Sequence, residues 1–217
     1  MFISLLTQQP FLALVWLAVI LMSLTVHEFA HALAAERLGD RTAEAMGRLT
    51  LNPVAHIDPV GFIPLLLLGF GWAKPVPFNP YNLEDPKWDS VKIALAGPAS
   101  NLIVATLSAI AFRGLDAGGM IVAGNALGFF LILLIIINLY LLFFNIIPIH
   151  PLDGSKLLDA LLTKPEHQKI RRAIAQHGPR VLLILVFLSF MTSFNVFFFI
   201  SVPSEALCDL LIGGRCF

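Results

Sequence analysis

The sequence predicts an all-α membrane protein: a polytopic bundle of about four transmembrane helices, with a re-entrant segment and a small β-hairpin or sheet at the cytoplasmic face. Three observations lead there. Of the 217 residues, 58% are hydrophobic and only 13% charged, far from the balance of an ordinary soluble domain. Four apolar runs are long enough to cross a hydrocarbon core that needs about 20 residues. The basic residues, finally, fall almost entirely on one side of those runs. Formal net charge is zero, so no basic surface points to nucleic acid and no acidic tail to a solvating segment.

The runs are Pro10 to Ala35, Ser90 to Phe112, Asn125 to Ile147 and Val181 to Ser201. A fifth, Gly61 to Trp72, holds Pro64 and three glycines and is too short to cross, so it reads as a re-entrant or interfacial hairpin. The first run has no basic n-region and no small-residue cleavage site, which reads against a removable signal peptide. Lysine and arginine collect in cytoplasmic loops. Four crossings place twelve of them, from Arg37 to Arg180, on one side and only Arg113 and Arg215 on the other. Both termini are then extracytoplasmic, where Cys208 and Cys216 can either pair or stay free. The whole chain, 1–217, reads as a single domain, with a core over 10–163 and an additional span and tail over 179–217.

The first run carries "HEFAH", His27 to His31, where lipid-facing residues are expected. On a helix, residues four apart share a face, so the two imidazoles converge, and Glu28 can point at a water held by the same metal. Packing histidines are the alternative, but unused polar groups are costly inside an apolar span. A divalent zinc ion held by neutral imidazoles removes that cost.

Zinc hydrolases use three protein ligands and leave one position open. Asp153, just after the third run in "NIIPIHPLDG", is the first candidate, because both motifs lie at cytoplasmic ends of their helices. Its competing role is an ordinary N-cap for the helix that follows. His56, in the turn-rich "LNPVAHIDPVG", ranks second and is otherwise site-lining. His150, between prolines, ranks third.

Together "HEFAH", "LNPVAHIDPVG", "GWAKPVPFNP", "AGPASN" and "NIIPIHPLDG" resemble, in order, the blocks of the site-2 protease family of intramembrane zinc metalloproteases, in a minimal form without PDZ or cystathionine-synthase-type (CBS) domains. The resemblance spans His27 to Gly154. It implies one Zn2+ per chain held by His27, His31 and Asp153, with Glu28 as general acid/base. It also implies hydrolysis of peptide bonds in or near transmembrane segments, and a substrate-binding role for Asn145. Ser155 and His150 depart from the family's common glycine and proline.

Attack on a peptide bond requires an unwound, extended substrate. Ala43 to Leu51 and Trp72 to Phe78 are expected as short strands whose edge could pair with it, or as a hairpin covering the site. Asn101 reads as interhelical glue beside Gly97, Ala99 and Ser100. The expected partners are a transmembrane protein or peptide substrate and the lipid bilayer. The competing function is a membrane metal transporter or a non-hydrolytic metal-binding membrane protein, which has no need of Glu28 between its ligands.

Overall fold

A computed structural model describes residues 2–68, 71–121, 125–192 and 195–216. Among the described residues nine α-helices follow one another: α1 (Phe2–Gln8), α2 (Pro10–Arg37), α3 (Thr42–Ala45), α4 (Pro59–Leu68), α5 (Pro86–Ala117), α6 (Ala126–Asn145), α7 (Gly154–Leu161), α8 (Gln168–Met191) and α9 (Phe198–Ile212). Three of them, α2, α5 and α6, are long and apolar enough to cross a membrane.

Local chemistry sets their starts. α5 begins with Pro86 in its first turn and the Asp85 carboxylate accepting from the Lys87 and Trp88 amides, which satisfies donors the helix cannot pair itself. Asn125 caps α6 through the Leu127 amide. The three helices pack on one another, and α9 closes against α5 and α6. Ala105, Ala109, Ile135, Ile136, Leu139, Cys208 and Cys216 form the core there, and Cys208 is disulfide-bonded to Cys216. Small residues on α5 let the backbones approach, which matters because lipid supplies no hydrophobic drive between helices. The outward faces keep large apolar side chains exposed, among them Phe11, Leu14, Ile103, Leu107 and Ile110. That pattern suits a hydrocarbon solvent rather than water.

Two expectations are corrected. The fourth crossing, Val181 to Ser201, is not one helix: α8 ends at Met191, Thr192 is extended, and α9 starts at Phe198. Residues 193 and 194 lie outside the described residues. No β-strand occurs among the described residues either. Ala43 to Leu51 folds instead into α3 and turns, with Gly47 at φ +67°. Trp72 to Phe78 is extended but makes only a single antiparallel bridge, Ala73 with Ile57. The cause is chemical. Pro75 and Pro77 have no amide to give a ladder, and the carbonyls of Lys74 and Pro75 are taken by the Arg48 side chain.

α4 follows Ile57, which meets Ala73 at that bridge. Part of the expected re-entrant run, residues 69 and 70, lies outside the described residues.

Candidate metal centre

His27 and His31 occupy successive turns of α2, both buried, with ring centroids 4.6 Å apart. Their Nε2 atoms approach to 3.0 Å. Asp153 Oδ2 stands 3.2 Å from the first and 3.3 Å from the second. Among the described residues these form the one cluster of three or more metal-type side chains.

The approach of α5 makes this possible. A Cβ on Gly97 would come within 2.6 Å of Cε1 of both His27 and His31, so only glycine lets that helix pass the rings. Asp153 arrives from the turn between α6 and α7. It occupies the N-cap position of α7, yet its carboxylate makes no capping hydrogen bond. It turns toward the histidines instead, on a chain that doubles back after α6 so closely that a side chain on Gly154 would run into the Ile146 and Ile147 backbone.

Hydrogen bonding decides what these three atoms can hold. His31 Nδ1 lies 2.7 Å from the Ile93 carbonyl, which can only accept. His27 Nδ1 lies 2.6 Å from Asn101 Oδ1. Each neutral imidazole has one proton, and it is committed at Nδ1, so both Nε2 atoms present lone pairs. Asp153 Oδ2, buried and without a hydrogen-bond donor, adds a third. Three electron-rich atoms at 3.0 to 3.3 Å repel one another unless a cation lies among them. Nitrogen and oxygen ligands of a tetrahedral zinc ion stand roughly 3.3 Å apart. The donor set, its spacing and the acceptors that hold both Nδ1 protons therefore fit zinc.

Glu28 is buried beside His27, and its Oε2 accepts from the Val76 backbone amide at 3.2 Å. Arg48, 4% exposed, holds the Trp72 to Phe78 stretch, a strap that includes Val76, in place. Its Nη1 donates to the Pro75 carbonyl at 3.2 Å and its Nη2 to the Lys74 carbonyl at 2.5 Å. Burial pulls the guanidinium below its usual range, against the opposing pull of the Glu28 charge.

His56 belongs to this brace and not to the cluster. Its Nε2 donates to the Thr50 carbonyl at 2.8 Å, so Nδ1 is left to accept from Arg48 Nη2 at 3.3 Å. His150 lies apart, between Asp159 Oδ2 at 3.1 Å and Ser155 Oγ at 3.3 Å. Asn145 donates from Nδ2 to the Leu141 carbonyl one turn back.

Asp40 anchors the far end of the strap. Its fully buried carboxylate accepts from the Asn79 amide at 2.7 Å, from Asn82 Nδ2 at 2.7 Å and from the Thr42 hydroxyl. Burial pushes its pKa up, but these hydrogen bonds outweigh burial and hold it below the usual carboxylate range. Arg48, Asp40 and Asn138 are site-supporting residues that the sequence expectations do not include. For Asn138 a signal was present, an amide in the middle of "IIINLYLL". For Arg48 and Asp40 none was, since charged loop residues are ordinary.

Comparison with known proteins agrees with this geometry. The description "Peptidase family M50" matches residues 15–119 and 117–189. The chain is 40% identical over 169 residues to "Putative zinc metalloprotease YwhC" of Bacillus subtilis, covering 76% of this chain and 77% of that protein. It is 34% identical over 187 residues to "Putative zinc metalloprotease Rip2" of Mycolicibacterium smegmatis, covering 82% and 68%. "Zinc metalloprotease MJ0392" of Methanocaldococcus jannaschii is 24% identical over 194 residues, covering 89% of this chain and 48% of that protein. No solved structure matches the chain. With most of its length matched and a zinc-type donor set buried at the end of its apolar helices, the chain belongs to peptidase family M50, the site-2 protease family of intramembrane zinc metalloproteases.

Proposed function

We propose that His27, His31 and Asp153 are the zinc ligands of this protease and that Glu28 is its general base, acting on peptide bonds in or near the transmembrane segments of membrane proteins. The observation that carries the ligand assignment is the Asp153 carboxylate, which leaves its own helix uncapped to meet two imidazole lone pairs. A zinc ion in such a site supplies Lewis acidity, acidifying a water and polarising the scissile carbonyl. Glu28 Oε1 takes the proton from the attacking water and returns it to the leaving amine, while Oε2 stays on the Val76 amide.

The basic residues around α3, α7 and the start of α8 support a cytoplasmic metal end. Gly213 lies beside Arg113 at the far end of α5, which supports an extracytoplasmic C-terminus, and α2 enters from that same far end. The chain reads as one protease domain, with a core over 10–163 and a C-terminal part over 179–217 whose α9 packs on α5 and α6.

The test is paired. Zinc content and cleavage of a single-span membrane substrate are measured on one Glu28→Gln preparation. Retained zinc with cleavage lowered at least about a hundredfold is expected, since the ligands survive and the proton acceptor does not. Undiminished cleavage would remove Glu28 from the role of base. A metal transporter, by contrast, depends on ligand geometry and access and is insensitive to the loss of a base.

A further inference from the structure

Behind the two histidines a line of neutral polar side chains crosses three helices, and its hydrogen-bond directions are set from the far end. Ser23 Oγ donates to the Val19 carbonyl at 2.7 Å, so its hydroxyl is left to accept from Asn138 Nδ2 at 2.9 Å. The same Nδ2 donates to the Leu134 carbonyl at 2.8 Å. Asn138 is thereby fixed with its Oδ1 toward Asn101, whose Nδ2 donates to it at 2.8 Å. That turns Asn101 Oδ1 to His27 Nδ1, 2.6 Å away, where only the Nδ1–H form of the imidazole can satisfy it. Both asparagines are completely buried and Ser23 is 1% exposed, so no water can substitute for a missing partner.

We propose that Asn138 and Asn101 are positioning residues that select the tautomer of His27, holding its Nε2 lone pair toward the metal, with Ser23 a redundant acceptor at the end of the line. The inference rests on the reading of His27 as a zinc ligand. It gives Asn101 and Asn138 a role that helix–helix attachment alone does not require. The three contributions are graded. Asn101 acts directly, Asn138 acts by orienting Asn101, and Ser23 is backed up by the Leu134 carbonyl, which orients Asn138 by itself.

The experiment uses the full chain in lipid nanodiscs, with zinc affinity from competition against a chelator and the tautomer of His27 from the ring-nitrogen NMR shifts of zinc-stripped protein. Asn101→Leu is expected to weaken zinc binding about 10- to 100-fold, the range seen when a ligand's outer partner is lost, and to give His27 a mixture of tautomers. Asn138→Leu should shift both readouts in the same direction by less, and Ser23→Ala should stay within about threefold of wild type. Asn101→Asp, buried and so carrying its carboxyl proton toward Asn138 Oδ1, keeps an acceptor for the His27 Nδ1–H, so it should retain the tautomer and bind zinc within about threefold.

A wild-type protein with its His27 proton on Nε2 would overturn the proposal without recourse to any variant. So would weak zinc binding in Asn101→Asp equal to that of Asn101→Leu, because attachment between helices would then be what matters. His27→Ala separates the two levels. Zinc retained in that variant means the ligand reading has failed, whereas zinc lost there and normal in Asn101→Leu means only the relay has failed.

Discussion

The backbone amide of Val76 donates to Glu28 Oε2 at 3.2 Å, joining an extended strap to the residue beside the first metal-type histidine. The donor can be deleted without touching the carboxylate. Val76→Pro removes the N–H and continues the Pro75 and Pro77 geometry, and cleavage is expected to fall about tenfold with zinc content unchanged, the scale of one hydrogen bond to a charged group. Activity equal to wild type would show that the strap does not orient the base.

Arg48 holds the same strap from its carbonyl side. Arg48→Met keeps much of the volume and removes the donors, so the strap should loosen, raising protease sensitivity near Lys74 and lowering cleavage about tenfold. His56→Ala should move in the same direction with zinc intact. Loss of zinc from His56→Ala would instead make that imidazole a ligand.

Ligand removal gives the plainest outcome. His31→Ala and Asp153→Ala should each strip the zinc, because two ligands do not retain it against a chelator. Gly97→Ala should do the same without altering any donor, since its methyl would displace the rings from the α5 side. Metal analysis of the three variants checks this, and zinc retained by Gly97→Ala would show that the helices can separate at no cost to the site.

Asp40 predicts a pH dependence with a definite sign. Its folded pKa lies below the usual 3.8, so its contribution to stability is complete above the unfolded-state value. That contribution is lost as the pH falls through the folded value. Asp40→Asn should therefore lower Tm at pH 7, and the difference from wild type should shrink as the pH falls below 3.8. Melting curves of both proteins across that range decide it; a difference that grows on acidification would reverse the assignment.

Reporter fusions at Lys169 and at the C-terminus test the orientation. Lys169 is expected in the cytoplasm and the C-terminus outside it. Both on one side would mean that α8 and α9 together make no crossing.

Membrane character, the three long spans and the pairing of His27 with His31 were legible in the chain itself. Hydropathy over about 20 residues and the spacing of four on a helix are local properties, set by the bilayer and by 3.6 residues per turn. The identity of the protease family was equally local, carried by short ordered blocks. Tertiary structure decided the remainder, because it depends on which groups meet across the fold. From sequence Asp153 ranked first as the third ligand by its depth, with a helix cap as the competing role, and the doubling back at Gly154 is what brings its carboxylate to the imidazoles. Two short strands were expected at this face, but an arginine side chain and a glutamate take hydrogen bonds of the strap, and two prolines without amides stop its pairing at the single Ala73–Ile57 bridge. The fourth crossing failed as a single helix for the same kind of reason: the apolar run supplied enough hydrophobicity, yet α8 stops at Met191 and α9 takes its packing from α5 and α6. Asn101 read as attachment between helices because its partner 74 residues away, the proton on His27 Nδ1, exists only once α2 and α5 are side by side.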